Sequence, residues 1–111
     1  MSDCIFCKII DKSKPAQIVF EDESMIAIKD IHPQAPTHIL LISREHIPTI
    51  EDAAPELIGK LTARATELAR EAGVSTKGYR LIINCREHAG QSVYHLHLHL
   101  LGGRWLSWPP G

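Results

Sequence analysis

Tyr94-His95-Leu96-His97-Leu98-His99-Leu100-Leu101 decides how this chain folds. Side chains alternate between the two faces of a β-strand. An extended chain here therefore puts three histidines on one face and Leu96, Leu98 and Leu100 on the other. Burying those leucines stabilises the strand by about 1.5–3 kcal/mol each. The histidines are then held in a row on a rigid element, their Cα atoms about 6.5–7 Å apart. Two chemistries use such a row. Alternate imidazoles can ligate a catalytic metal, since ring nitrogens suit zinc. Alternatively, one imidazole is a nucleophile or base whose neighbours orient it and bind phosphate. The spacing by itself does not choose.

The histidine strand, read from Val93 to Leu101, is the last of five predicted strands. Before it come Tyr79 to Asn84 and a helix from Pro55 to Ala72. Pro55 suits the first helical turn, where its missing N–H has no partner to lose. Leu57, Ile58, Leu61, Ala65, Leu68, Ala69 and Ala72 form the apolar stripe of that helix, and Gly73 ends it. Thr37 to Ile42 is a β-branched and apolar strand, preceded by a loop from Asp30 to Pro36 that Pro33 and Pro36 keep irregular. Gln17 to Phe20 and Met25 to Ile28 flank a turn at Glu21–Ser24, and Cys4 to Asp11 is a short helix. The order favours an α+β domain with a mainly antiparallel sheet.

The chain has 111 residues with 12 basic and 13 acidic side chains, a net charge of -1. That is one domain, with no positive surplus to concentrate a nucleic acid polymer. No apolar run exceeds four residues, so no membrane helix and no secretory leader are expected. Three cysteines are an odd count for a disulfide framework, which points to a reducing, cytoplasmic setting. Cys4-Ile5-Phe6-Cys7 has the spacing of half a tetrahedral zinc site. The same pair also reads as a redox dithiol or as two buried thiols, and Cys85 as an isolated one.

His95 to Leu101 resembles the His-φ-His-φ-His-φ-φ signature (φ apolar) of the histidine triad, or HIT, superfamily. Four other stretches are similar to its Hint branch: Cys4-Ile5-Phe6-Cys7-Lys8-Ile9-Ile10, Asp30-Ile31-His32-Pro33-Gln34-Ala35-Pro36-Thr37-His38, Gly90-Gln91-Ser92-Val93-Tyr94-His95 and Trp108-Pro109-Pro110-Gly111. The resemblance covers nearly all of residues 1–111 as one HIT domain. It implies a five-stranded antiparallel sheet with one long helix and a short N-terminal helix, the sheet continuing across a homodimer. It also implies a nucleoside phosphoramidase that cleaves the P–N bond of purine nucleoside 5′-phosphoramidates through a covalent nucleotidyl-histidine. Dinucleoside polyphosphate hydrolysis and nucleotide binding without turnover are the alternatives.

Position by position, the resemblance makes His97 the nucleophile, its second nitrogen held by a backbone carbonyl near His95. His99 contacts the phosphate and serves the leaving group, and His38 supports the site. Asn84, Gln91 and Ser92 surround the phosphate and leaving group, with Ser92 counted in the catalytic set. Asp30 accepts from the ribose hydroxyls. Phe6, Ile9, Ile28, Ile31 and Leu40 form the slot for the base, although Ile9, Ile28 and Leu40 read equally well as core, and Asn84 and Ser92 as turn residues. The resemblance also completes a closed, structural zinc site from Cys4, Cys7, His46 and His95, and implies no organic cofactor. Two departures stand out. His32 replaces a usual serine, and Ala89 a glycine that could have taken positive φ. His32 and His88 read as solvated loop histidines, Trp105 and Trp108 as interface anchors reaching a partner's site.

Overall fold

The protein is described by a computed structural model covering residues 3–111. Strands β1 (Ile18–Glu21), β2 (Met25–Lys29), β3 (Thr37–Ser43), β4 (Tyr79–Ile82) and β5 (His97–Gly102) form one antiparallel sheet in the order β1-β2-β3-β5-β4. Two α-helices accompany them, α1 (Ile5–Ile10) and α2 (Pro55–Glu71). The α+β architecture is the one the sequence predicts.

Register makes the sheet two-faced. Leu41 lies opposite both Ala27 and Leu98, and Ile39 opposite Leu100. With Met25 and Leu96 these side chains share one face, and α2 lays Leu61, Ala65, Leu68 and Ala69 on it to make the main core. On the other face Leu40 lies opposite His99, and Ile42 opposite His97. There α1 covers only one end, where Phe6 and Ile9 close a second apolar cluster with Ile26, Ile28, Leu40 and Ile42. A cavity opens at the other end, beside His38 and His99.

The helix stop also shapes the sheet. Gly73 takes φ +77°, which an L side chain rarely adopts. The Val74 N–H then reaches back to the Ala69 carbonyl (3.0 Å). Val74 is buried against Gly102, where an added Cβ would meet its own Cβ at 2.9 Å.

Two predicted strands are shorter than expected. β4 ends at Ile82 instead of Asn84, and β5 begins at His97 instead of Val93. The second correction has a clear cause. β3 ends at Ser43, so His95 has no ladder partner there. Leu96 instead accepts from the Ser43 N–H (3.2 Å) and donates to the Ile47 carbonyl (2.6 Å). The in–out alternation continues regardless: Leu96 enters the main core, while His95 turns with His97 toward Phe6. Ala72, placed on the apolar stripe by its spacing, is exposed just beyond α2.

Leu98 is 1% exposed, and its truncation leaves a cavity under α2. Leu98→Ala is expected to cost about 2–5 kcal/mol in urea unfolding. Leu101→Ala, on the half-covered face, should cost less than about half of that. Equal losses would contradict the two-faced sheet.

Candidate active site

His97 is the best-defined group on the histidine face. Its Nδ1 lies 2.7 Å from the His95 carbonyl. A carbonyl can only accept, so the ring carries its proton on Nδ1 and keeps a lone pair on Nε2. Burial lowers the His97 pKa below its ordinary 6.5, against the raising effects of that carbonyl and of Asp30. The ring is therefore neutral at physiological pH, which an attacking imidazole requires.

His95 reverses the pattern. It is fully buried, and its Nε2 lies 2.6 Å from the Ser43 carbonyl. Nε2 thus bears the proton, and the Nδ1 lone pair points away from Ser43. It faces Cys4 Sγ at 3.3 Å, Cys7 Sγ at 3.6 Å and His46 Nδ1 at 3.1 Å, while Cys7 Sγ is 3.2 Å from His46 Nδ1. The four ligand atoms lie within 4.8 Å of one another. Around one tetrahedral ion, ligands at about 2.1 Å (N) and about 2.3 Å (S) stand roughly 3.3–3.8 Å apart. The group fits a metal, and the Ser43 carbonyl is the outer partner that fixes a ligating ring. The Cys-x-x-Cys spacing arises because Cys4 caps α1, accepting the Cys7 N–H on its sulfur at 3.5 Å.

A second chain of tautomers runs through His38 and His99. The Gln34 N–H donates to His38 Nδ1 (3.0 Å), which leaves the proton of a neutral His38 on Nε2. That Nε2–H faces His99 Nδ1 at 3.0 Å and Asp30 Oδ2 at 3.5 Å. His99 consequently accepts on Nδ1 and holds its own proton on Nε2. Asp30, His38 and His99 also bring ligand atoms within 4.8 Å, but His38 meets the other two as a donor and so is no ligand. Burial, then the neighbouring His97 and His38, push the His99 pKa down to about 4. Burial lowers His38 as well.

The loop before β5 is held by Gln91. Its Oε1 accepts the Arg86 N–H (2.8 Å), and its amide donates to the Pro48 and Val93 carbonyls (2.8 and 3.1 Å). The side chain is thus committed to the loop. Arg86 is held at φ +67°, a strained conformation that these bonds over-determine. The departure at Ala89 needs no positive φ: residues Glu87–Ala89 make a 3-10 turn, and Gly90 takes φ +79°. The N–H groups of Ala89, Gly90 and Gln91 are spent inside the loop. Those of Ser92 and Val93 have no acceptor among the described residues, and Ser92 is exposed.

The cavity, about 730 Å³, is lined by Gln34, His38, Arg80, Asn84, His88 and His99, with Trp108 and Pro110 along one side. His97 lies outside this lining, its ring centroid 5.0 Å from that of His99. Phe6, Ile9, Ile28 and Leu40 are buried together, whereas Ile31 is 83% exposed. Sequence reading missed Arg80. Its register opposite Leu101 sets it on the histidine face, so strand parity could have found it. Its guanidinium donates to the Ser107 carbonyl (3.1 Å) and stands 5.9 Å from the Trp108 ring centroid. Trp108 therefore borders this chain's own cavity, though both it and Trp105 are exposed. Gln34 and the Ser43 carbonyl were also missed; both act through the main chain, which leaves no residue-type signal.

Residues 11–106 match the HIT domain family. A purine nucleoside phosphoramidase of Escherichia coli (strain K12) is 47% identical over 105 residues, covering 92% of this chain and 88% of that protein. A HIT family hydrolase from Legionella pneumophila Philadelphia 1 superposes with a TM-score of 0.95 at 51% identity, covering 98% of this chain and 100% of that one. A Zn-bound histidine triad family protein from Mycobacterium smegmatis superposes with a TM-score of 0.82 at 34% identity, covering 92% and 76%.

The depressed histidines set a pH dependence. Native His99 stays neutral down to about pH 4, whereas an imidazole in the unfolded chain titrates near 6.5. Between those values the unfolded state binds more protons, so stability falls as pH falls through that window. Urea midpoints should therefore drop between about pH 7 and about pH 5, and His99→Asn should flatten the slope. A wild-type midpoint that rises on acidification would contradict the assignment.

Proposed function

The chain belongs to the HIT domain family, and we propose that it hydrolyses purine nucleoside 5′-phosphoramidates with His97 as the nucleophile. The observation that carries this reading is the 2.7 Å bond from His97 Nδ1–H to the His95 carbonyl, which leaves a neutral Nε2 with its lone pair available. The named activity of the Escherichia coli relative supports the substrate class.

In this reading Nε2 attacks the α-phosphorus, the P–N bond breaks, and a nucleotidyl-histidine forms while Nδ1–H stays on the carbonyl. A water then attacks the phosphorus. The leaving nitrogen takes a proton from solvent as the P–N bond breaks, and the attacking water returns one to solvent as its hydroxyl ends on phosphorus, so His97 returns unchanged. The Ser92 and Val93 N–H groups and the Nε2–H of His99 are donors for the phosphoryl oxygens, where developing charge gains most from fixed dipoles. His99 is neutral at pH 7 and acts first as a hydrogen-bond donor, its tautomer held by His38 and Asp30. Asp30 spends Oδ1 on the His32 N–H at 2.8 Å and offers Oδ2 to a ribose hydroxyl. Exposed Ile31 and the apolar cluster of Phe6, Ile9, Ile28 and Leu40 would supply the apolar surface for the base. Asn84 and Gln91 shape the leaving-group side, Gln91 by fixing the loop.

Zinc held by Cys4, Cys7, His46 and His95 would have a full protein shell and supply no open position, a structural role. The chain's homodimer would pair through β4, which leaves one edge of the sheet unpaired, with Trp105 as an exposed anchor.

Purified protein should release AMP from adenosine 5′-phosphoramidate, and His97→Ala should lower kcat by at least about 10³-fold. Full activity in the variant would overturn the assignment. No activity in folded, zinc-loaded wild type would favour nucleotide binding without turnover. Light scattering should give a dimer of the 12.4 kDa chain, and a monomer would remove that part of the proposal.

A further inference from the structure

Phe6 sits between the two cysteines of the metal group on the single turn and a half of α1. It is buried, and its ring meets two imidazoles nearly edge-on. The His95 centroid lies 5.8 Å away at an interplanar angle of 81°, and that of His97 4.9 Å away at 77°. Such T-shaped contacts fix relative ring orientation better than aliphatic packing does. The metal group thus touches the nucleophile twice. The His95 ring faces the group while its carbonyl accepts from His97. Cys4 and Cys7 also bracket the turn that carries Phe6, whose ring contacts the His97 ring.

We infer that Phe6 is a positioning residue: anchored by zinc on either side, it keeps the His97 ring seated on the His95 carbonyl, so that metal occupancy sets whether the nucleophile is competent. This rests on His97 being the nucleophile and goes beyond a zinc site that only holds the fold together. Without the Phe6 edge, the His97 ring can turn about its side-chain bonds. Its proton then redistributes between Nδ1 and Nε2, and the share of rings with a lone pair on Nε2 falls. A Phe6 that only contacted the purine base would act differently, changing substrate affinity and leaving the ring's tautomer untouched.

Imidazole ¹⁵N spectra read that tautomer without turnover, so a protein that hydrolysed nothing would sink the proposed activity and still decide this question. Three samples are compared: zinc-loaded wild type, the same protein after chelation, and zinc-loaded Phe6→Leu, which keeps all four ligands. Zinc-loaded wild type should show His97 as a single Nδ1–H tautomer. Phe6→Leu should bind zinc yet show averaged nitrogen shifts at His97, with kcat on adenosine 5′-phosphoramidate lowered roughly 10- to 100-fold, beyond any change in KM. Chelated, folded wild type should show the same change, reversed by zinc. If chelation unfolds the chain, Phe6→Leu decides; if Phe6→Leu fails to fold, the chelated wild type decides. An unchanged Nδ1–H tautomer in either folded sample, or a rise in KM alone, would overturn the inference.

Discussion

One residue, His95, joins the parts of this molecule. Its Nε2–H is taken by the Ser43 carbonyl at the end of β3, its Nδ1 faces the cysteines of α1, and its own carbonyl accepts the proton of His97. Each bond constrains the next. A ring pinned at Nε2 must present a lone pair at Nδ1, and a carbonyl pinned by that ring's place in the fold dictates which nitrogen of His97 is a base. Because the residue is fully buried, leaving any one partner unsatisfied would cost about 1–3 kcal/mol.

The rest of the fold holds that residue still. The leucines between the histidines fill the core under α2, so the histidine face cannot shift by one residue without exposing Leu96, Leu98 and Leu100. The opposite face divides between an apolar end closed by α1 and a polar end open to the cavity. Catalytic groups on strands backed by a packed core are set more precisely than groups on loops. Of the loops that border the site, residues 86–92 are stiffened by the fully used amide of Gln91, and residues 30–36 by the Gln34 N–H bond to His38 Nδ1.

Much of this is legible in the sequence because it is periodic. Alternation from His95 to Leu101 separates the core from the site, and the three- and four-residue steps after Pro55 give α2 its buried stripe. What is not periodic is harder to read. The end of β3 at Ser43, one residue beyond the expected Ile42, leaves His95 off the ladder and is set by where the chain turns away. The meeting of His46 with Cys4 and Cys7 spans 39 residues or more. Only the family resemblance pointed to it, since residue spacing gave half a metal site. The tautomer chain from Gln34 through His38 to His99 starts at a backbone N–H, and the strain at Arg86 carries no residue-type signature. Arg80 is within reach of strand parity, since it alternates with Tyr79 and Leu81, which pack against the core.

The central claim is that His97 attacks phosphorus and carries the nucleotide. Rapid alkaline quench during turnover of adenosine 5′-phosphoramidate, followed by peptide mass analysis kept out of acid because a nucleotidyl-histidine P–N bond is acid-labile, tests it most directly. A nucleophilic His97 predicts an AMP adduct on the peptide spanning β5, localised to His97. Sustained AMP release with no adduct at any time point, or an adduct on His99, would contradict it.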